Sequence, residues 1–193
     1  MKKFFAALLV ALFGAVPLFA DDVADVKAVI VKQWELAAKG EFAGKLKLLA
    51  PDYRETDPEG TTLDYGQIRI LLLGSTEEHP EEFWLMLYMV KNDFQMPPED
   101  QLTRMKELAR TPKYVKLYKK TLPELVAMEK ARAAAELKTL KFTSVKVKGN
   151  YASAAVWYDF TGQNGAIQPQ TQLISLRRID GEWRIFRLVV KNR

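Results

Sequence analysis

The sequence predicts an α+β domain, with helices grouped on one side of a mostly antiparallel sheet. Near the start, Val23, Val26, Ile30, Trp34 and Ala37 recur at three- and four-residue spacing, the stripe of an amphipathic helix. From Leu140 onward the pattern turns to runs rich in Val, Ile, Thr and aromatic residues. These are parted by Gly149-Asn150, by Gly162-Gln163-Asn164-Gly165 and by Asp180-Gly181. Between the two regions, residues 75–138 keep a helical spacing throughout.

The first helix is expected over 22–39 and stops at Gly40. A short second helix covers 41–49, carries Phe42, Leu46 and Leu49, and halts at Pro51. Residues 53–56 and 61–65 flank Asp57-Pro58-Glu59-Gly60, a turn sequence, and read as a small hairpin before a short helix over 66–73. The helical stretch divides into three. One piece runs from Pro80 to Asp93, and a second is opened by Pro97 and Pro98 and reaches Ala109. A third starts at Thr121, where Thr and a Glu three residues later form a capping-box pattern, and ends at Lys138. Strands are expected over 142–148, 151–161, 168–179 and 182–191, an antiparallel meander closed by the Asp-Gly hairpin signal. In the 151–161 strand Tyr151 and Trp157 fall on one face, and Val156, Tyr158 and Phe160 on the other. One face should pack on the helices and the other should meet something too, most simply a second copy of the chain.

Residues 1–20 have the order of a secretory signal peptide. Lys2 and Lys3 lead, an uncharged apolar run follows from Phe4 to Val16, and Pro17-Leu18-Phe19-Ala20 precedes Asp21-Asp22. Leu18 stands where a small residue is preferred before the cut. The expected product is an exported domain over 21–193, periplasmic or secreted, with no Cys at the junction to carry a lipid anchor. Beyond the leader no apolar run is long enough to span a bilayer. Removing the leader takes two lysines from 29 basic residues against 24 acidic ones, so the formal charge falls from +5 to +3. That balance gives no argument for nucleic-acid binding. With no cysteine, the domain has neither disulfides nor a thiolate site. A chain this long buries enough surface to fold without them.

Both ends of the chain resemble the nuclear transport factor 2-like superfamily, which includes ketosteroid isomerase, scytalone dehydratase and SnoaL-type polyketide cyclases. The resembling residues are Trp34-Glu-Leu-Ala-Ala-Lys-Gly40, Leu49-Ala-Pro-Asp-Tyr53 with Asp57-Pro-Glu-Gly60, and Val145-Lys-Val-Lys-Gly-Asn-Tyr-Ala152. The most specific is Leu176-Arg-Arg-Ile-Asp-Gly-Glu-Trp-Arg-Ile185. The match covers 22–73 and 139–191, so 75–138 reads as a helical insertion. The resemblance implies a strongly curved sheet wrapped on the N-terminal helices as a cone with an apolar pocket, and dimerisation through the sheet.

It also implies where chemistry would sit. In ketosteroid isomerase-like enzymes a pocket carboxylate abstracts a proton while tyrosines stabilise the enolate. Asp159, Tyr53 and Tyr65 would supply that set here. Against this stands a plain structural reading, in which Asp159 points outward and pairs with Arg178 or Arg184. The one histidine, His79, lies among Glu77, Glu78, Glu81 and Glu82. It reads as a solvated residue at a helix start, since nothing at metal-ligand spacing joins it. Arg104 to Lys120 holds seven basic residues and one acid and reads as a solvated face, turned in part to the acidic segment 77–82. No phosphate loop, nucleophile elbow or zinc motif is present, so no cofactor or metal is expected.

The sequence therefore favours binding over catalysis, with a small apolar ligand or a protein partner, and a cofactor-free isomerase, dehydratase or cyclase as the alternative. A ligand in the cone would meet Trp34 and Trp183. Phe83 to Val90 presents eight apolar residues in succession, too many for one helix face. That helix is expected across the open end of the cone as a lid or plug, offering Trp84 and Tyr88 to the ligand and packing Phe83 and Leu87 on its other side.

Overall fold

The computed structural model describes residues 18–162 and 165–192. The leader expected over 1–20 lies almost wholly outside the described residues. Helix α1 (Leu18–Lys39) is followed by the single-turn α2 (Phe42–Lys45) and a 3-10 turn at Leu46–Leu48. Then come β1 (Leu49–Thr56), β2 (Thr62–Asp64), α3 (Tyr65–Gly74), α4 (Pro80–Lys91) and α5 (Glu99–Ala109). The long α6 (Pro112–Thr139) leads into β3 (Lys141–Lys148), β4 (Tyr151–Thr161), β5 (Ile167–Ile179) and β6 (Glu182–Asn192).

The strands form one curved sheet in the order β2-β1-β6-β5-β4-β3. The expected meander is its larger part, and each strand ends within a residue of where the sequence placed it. The hairpin joining β5 and β6 turns at Asp180 (φ 52°) and Gly181 (φ 82°), two left-handed residues in succession, as a tight two-residue turn of this kind requires. β1 then joins parallel to β6, with Glu55 opposite Leu188, while β2 pairs back on β1. Register shifts between Phe142 and Ser144, between Ser175 and Leu176, and between Leu49 and Arg54 put extra residues into three ladders. Such bulges bend and twist a strand, which curls the sheet around the helices.

Alternation along the strands gives the sheet an apolar concave face. Ala152, Ala154 and Val156 of β4, Ile174 and Leu176 of β5, and Trp183, Ile185 and Leu188 of β6 meet Val26, Ile30 and Trp34 of α1. Burial of apolar area on this scale is the dominant favourable term for a domain of this size. At its edge the buried Asp22 carboxylate accepts from Arg178, whose guanidinium also stacks on Trp183 with 4.9 Å to the ring centroid.

Three expectations for the helices need correction. The second helix does not run to Leu49, because Leu49 already pairs with Ile185 in the sheet. Thr121 starts no helix. Its hydroxyl bonds back to the Leu117 carbonyl at 3.0 Å, so α6 passes through it and through Pro123, having begun at Pro112. Pro123 has no N–H for the Lys119 carbonyl, but its ring faces an open cleft and tertiary packing on both sides holds the helix together. Nor does α4 cover the cone. It packs on α3, α5 and α6, whereas α6 lies along α1 and onto β4.

The α4 packing explains its apolar run. Leu85 and Met89 meet Ile70 of α3, and fully buried Phe83 meets Tyr118 and Leu122 of α6. The two helices α3 and α4 touch backbone to backbone at Gly74, where an added Cβ would stand 2.8 Å from the Glu82 carbonyl oxygen. Replacing Gly74 by Ala must therefore push the helices apart, and ~1–3 kcal/mol of stability should be lost. Phe83→Ala leaves a dry cavity between α4 and α6 and should cost ~3–5 kcal/mol. Urea unfolding of both variants checks the pair; losses below ~1 kcal/mol would show that α4 is not part of the cooperative core.

Candidate functional site

The interior of the cone carries charge as well as apolar bulk. β1 turns Tyr53 and Glu55 inward, and the buried Tyr53 hydroxyl donates to Glu55 Oε2 at 2.8 Å. From α1 the Trp34 indole N–H donates to Glu136 Oε2 of α6 at 2.9 Å. One turn earlier on α6, Arg132 lies 3.6 Å from Glu136, bonds Glu129 and stacks over Phe160 with 5.6 Å to the ring centroid. Trp34 meets Tyr158 edge-on with centroids 5.6 Å apart. The Tyr158 hydroxyl donates to Gln170 Oε1 at 2.9 Å and accepts from Gln172 Nε2 at 3.0 Å. Gln170 in turn donates to Asn192 at 3.1 Å.

These groups perturb one another. Burial lowers the pKa of the Lys45 ammonium, a shift opposed chiefly by the Glu55 carboxylate nearby. Burial raises the Glu136 carboxyl, against the Trp34 hydrogen bond and the charges of Arg132 and Lys45. Burial likewise raises Tyr158, helped by Glu136, and carries Tyr53 well above the usual phenol range, helped by Glu55. Both tyrosines thus stay protonated and can only be neutral partners, while burial makes the Glu136 carboxyl harder to ionise than a free one. Yet each hydroxyl already has its acceptor. Trp34, Tyr53, Tyr158 and Trp183 are buried and fill the cone in which they sit.

Open space lies next to this cluster, between α2, the turn from α3 to α4, and the middle of α6. A cleft of about 870 Å³ has a floor of Phe42, Leu122 and Val126, with Lys39 and Lys130 on one rim and Glu77 and Glu78 on another. Its wall is fixed by Tyr118, whose hydroxyl donates to the Thr76 carbonyl and ties α6 to the turn. A second recess of about 300 Å³ is lined by Asp52, Tyr53, Arg54 and Tyr65.

The structure does not bring the proposed catalytic set together. Tyr53 and Tyr65 share the small recess, but Asp159 shares the parity of Trp157, on the other face of the sheet, with its backbone N–H bonded to Thr139. Neither arginine named for it is its partner: Arg178 holds Asp22 and Arg184 holds Glu182. The four indicated ligand residues also separate. Trp34 and Trp183 belong to the cone. Trp84 packs against Phe83 and Tyr114 with centroids 5.1 and 5.2 Å away, and Tyr88 stands on the same helix, α4. His79 precedes α4, 3.7 Å from Glu82. The basic run does meet the acidic segment, through Arg110 and Glu81 at 2.6 Å. Among the described residues no cluster of three or more histidines and carboxylates is placed to hold a metal ion, and no helix is long and apolar enough to cross a membrane.

Sequence reasoning missed Lys45, Glu55 and Glu136. Glu55 could have been found by parity, two residues from Tyr53 on one strand. Glu136 follows three alanines and stands three positions from the buried Ala133, an acid on an apolar helix face. For Lys45 no local signal exists.

Solved structures share this architecture. A nuclear transport factor 2-like protein with a cystatin-like fold from Novosphingobium aromaticivorans has a TM-score of 0.50 at 13% identity, covering 100% of this chain and 92% of the other. A nuclear transport factor 2-like protein of unknown function from Silicibacter pomeroyi has 0.46 at 16%, covering 90% and 98%. A ketosteroid isomerase-like protein from Erwinia carotovora atroseptica has 0.43 at 11%, covering 90% and 98%. No family model matches the chain, and no curated protein matches it. The fold is thus the nuclear transport factor 2-like one, and likeness at this identity speaks of the fold alone.

The buried Glu136 makes a pH prediction. Its folded pKa is raised, so its charged form is favoured less in the fold than in the unfolded chain. Its contribution is therefore best at low pH and is lost as pH rises through the carboxylate range to the folded value. Glu136→Gln keeps an acceptor for Trp34 and removes the charge, while Arg132 retains Glu129. At about pH 7 the variant should be at least as stable as the parent, and it should lack the parent's gain on going to about pH 5. Urea unfolding at both pH values reads this. A variant ~1 kcal/mol weaker at neutral pH would show instead that the ion pair with Arg132 outweighs burial.

Proposed function

We propose that the chain is an exported, non-catalytic binding domain that takes a small, largely apolar ligand in the cleft between α2, the α3–α4 turn and α6. The observation that carries this reading is the cleft itself. Its volume of about 870 Å³ falls in the range of small-molecule sites, and its floor of Phe42, Leu122 and Val126 is apolar beneath charged rims. The cone supports the non-catalytic part: its hydroxyls and carboxylates converge, but they are spent on one another, as Tyr53 is on Glu55.

The cofactor-free isomerase, dehydratase or cyclase reading has one observation in its favour, the raised Glu136 carboxyl beside Tyr158. It would use those two groups, with Glu136 moving the proton and Tyr158 donating a hydrogen bond. Tyr158→Phe separates the readings, since it touches the cone and leaves the cleft intact.

The binding reading is tested with the neutral fluorescent probe N-phenyl-1-naphthylamine. Saturable binding is expected, weakened about tenfold or more by Val126→Trp, which fills the floor, and unchanged by Tyr158→Phe. Probe affinity indifferent to the filled floor would sink the assignment of the site. For export, N-terminal sequencing of protein from the host's envelope should begin at Asp21 or within a few residues of it. A retained Met1 on membrane-bound material would overturn that part.

A further inference from the structure

The convex face of the sheet gathers eight cations, of which two meet a carboxylate among the described residues. β3 turns Lys141, Lys146 and Lys148 outward, all exposed. β6 adds Arg184, Arg187 and Lys191, β1 adds Arg54 and β5 adds Arg177. The acids on this face are few. Asp52 takes Arg177 at 2.5 Å, Glu182 takes Arg184, and Asp159 stands at the far end of β4. Among the described residues no carboxylate pairs with the three lysines of β3, with Arg54, or with Arg187 and Lys191. Arg54 and Arg187 are even direct cross-strand neighbours in the β1–β6 ladder. Like charges placed so are destabilising. Asp64, opposite Arg54 on its β2 side, has its carboxylate on the Gln67 N–H at the start of α3 and makes no ion pair with Arg54.

Aromatic and apolar groups lie among the cations. At one end Tyr151, 60% exposed, meets Phe186 edge-on with centroids 6.5 Å apart, and Arg177 lies over the Phe186 ring. At the other end Lys141 lies over Trp157, 5.4 Å from its centroid. Ala155, Leu173 and Val189 share one register row between them, and Leu173 is 39% exposed.

We infer that this convex face docks on an anionic lipid bilayer. Unneutralised Lys and Arg spread over a broad sheet match the charge of an anionic surface, which attracts each of them within a Debye length. Aromatic residues at both ends, each beside a cation, fit the headgroup level, and the central apolar row has the acyl boundary to meet. A soluble polyanion offers the apolar row nothing. A second copy packed face to face would set the cations of each sheet against those of the other. The surface is independent of the cleft, so either assignment can fail alone.

Sedimentation with vesicles tests it, with parent and variants compared in the same N-terminal form so that the leader contributes equally. The parent should bind vesicles of phosphatidylcholine with phosphatidylglycerol, and not vesicles of phosphatidylcholine alone, with affinity falling as salt is raised. The pair Lys146→Glu and Arg187→Glu should weaken binding about tenfold or more, and Leu173→Ser should weaken it less. The charge change relieves the clash with Arg54, so urea unfolding of the pair should show a fold no weaker than the parent's. The pair Lys116→Glu and Lys119→Glu, on the exposed side of α6, should change little. Failure of the parent to bind the anionic vesicles overturns the inference. So does loss confined to the α6 pair, or tighter binding to a single-stranded oligonucleotide than to the vesicles. A dimer by light scattering that the convex pair dissociates would give the face to a second copy instead.

Discussion

A carboxylate and an indole placed far apart in the chain share one buried hydrogen bond, which ties α6 to α1. Glu136 is too costly to bury alone, so its position is acceptable only where Trp34 donates and Arg132 stands beside it. That requirement fixes α6 along α1 and over β4. Because α6 is 28 residues long, fixing one end orients the other. The far end carries Tyr118 and Leu122, which bury Phe83, and α4 in turn closes on α3 at Gly74. The insertion is thus no appendage. It is attached to the helix-on-sheet core through a polar contact that apolar packing alone would not register so sharply.

Much of the fold was legible because its signals are local. The Asp180-Gly181 turn and the alternation around it specify the meander, and the residues on either side of the turn cannot slip by one without reversing both faces. The errors came where a local pattern was overruled. Thr121 and Glu124 have the spacing of a helix start, but Thr121 is bonded back into the preceding turn, and the burial of Tyr118 and Leu122 on either side keeps the helix continuous. The apolar run of α4 correctly announced burial all round and could not say by what. The site was less legible still. Asp159 drew attention as an acid within a strand, yet Glu55 and Glu136 are the carboxylates that the cone encloses. Three separate elements supply Lys45, Glu55 and Glu136, and no spacing in the sequence links them.

The two faces of the sheet show opposite policies toward charge. On the concave side buried polar groups meet answering ones: Tyr53 has Glu55, Tyr158 has two glutamines, Asp22 has Arg178. On the convex side arginine faces arginine across β1 and β6. Both patterns come from the same strands at alternate positions. A substitution at a given strand residue therefore acts on the interior or on the outer surface, with little crossing between the two.

The parallel pairing of β1 with β6 has a consequence in time. β1 is made well before β6, so the first hairpin waits through the synthesis of the intervening residues without its parallel partner. A two-stranded hairpin is marginal on its own, and α1 has no concave face to bury against until the sheet exists. Contacts between chain ends make folding slow through the search they demand, although the entropy of closing so long a loop grows only gently with its length. The first hairpin and α1 therefore lack the strand that completes their packing until β6 has been made.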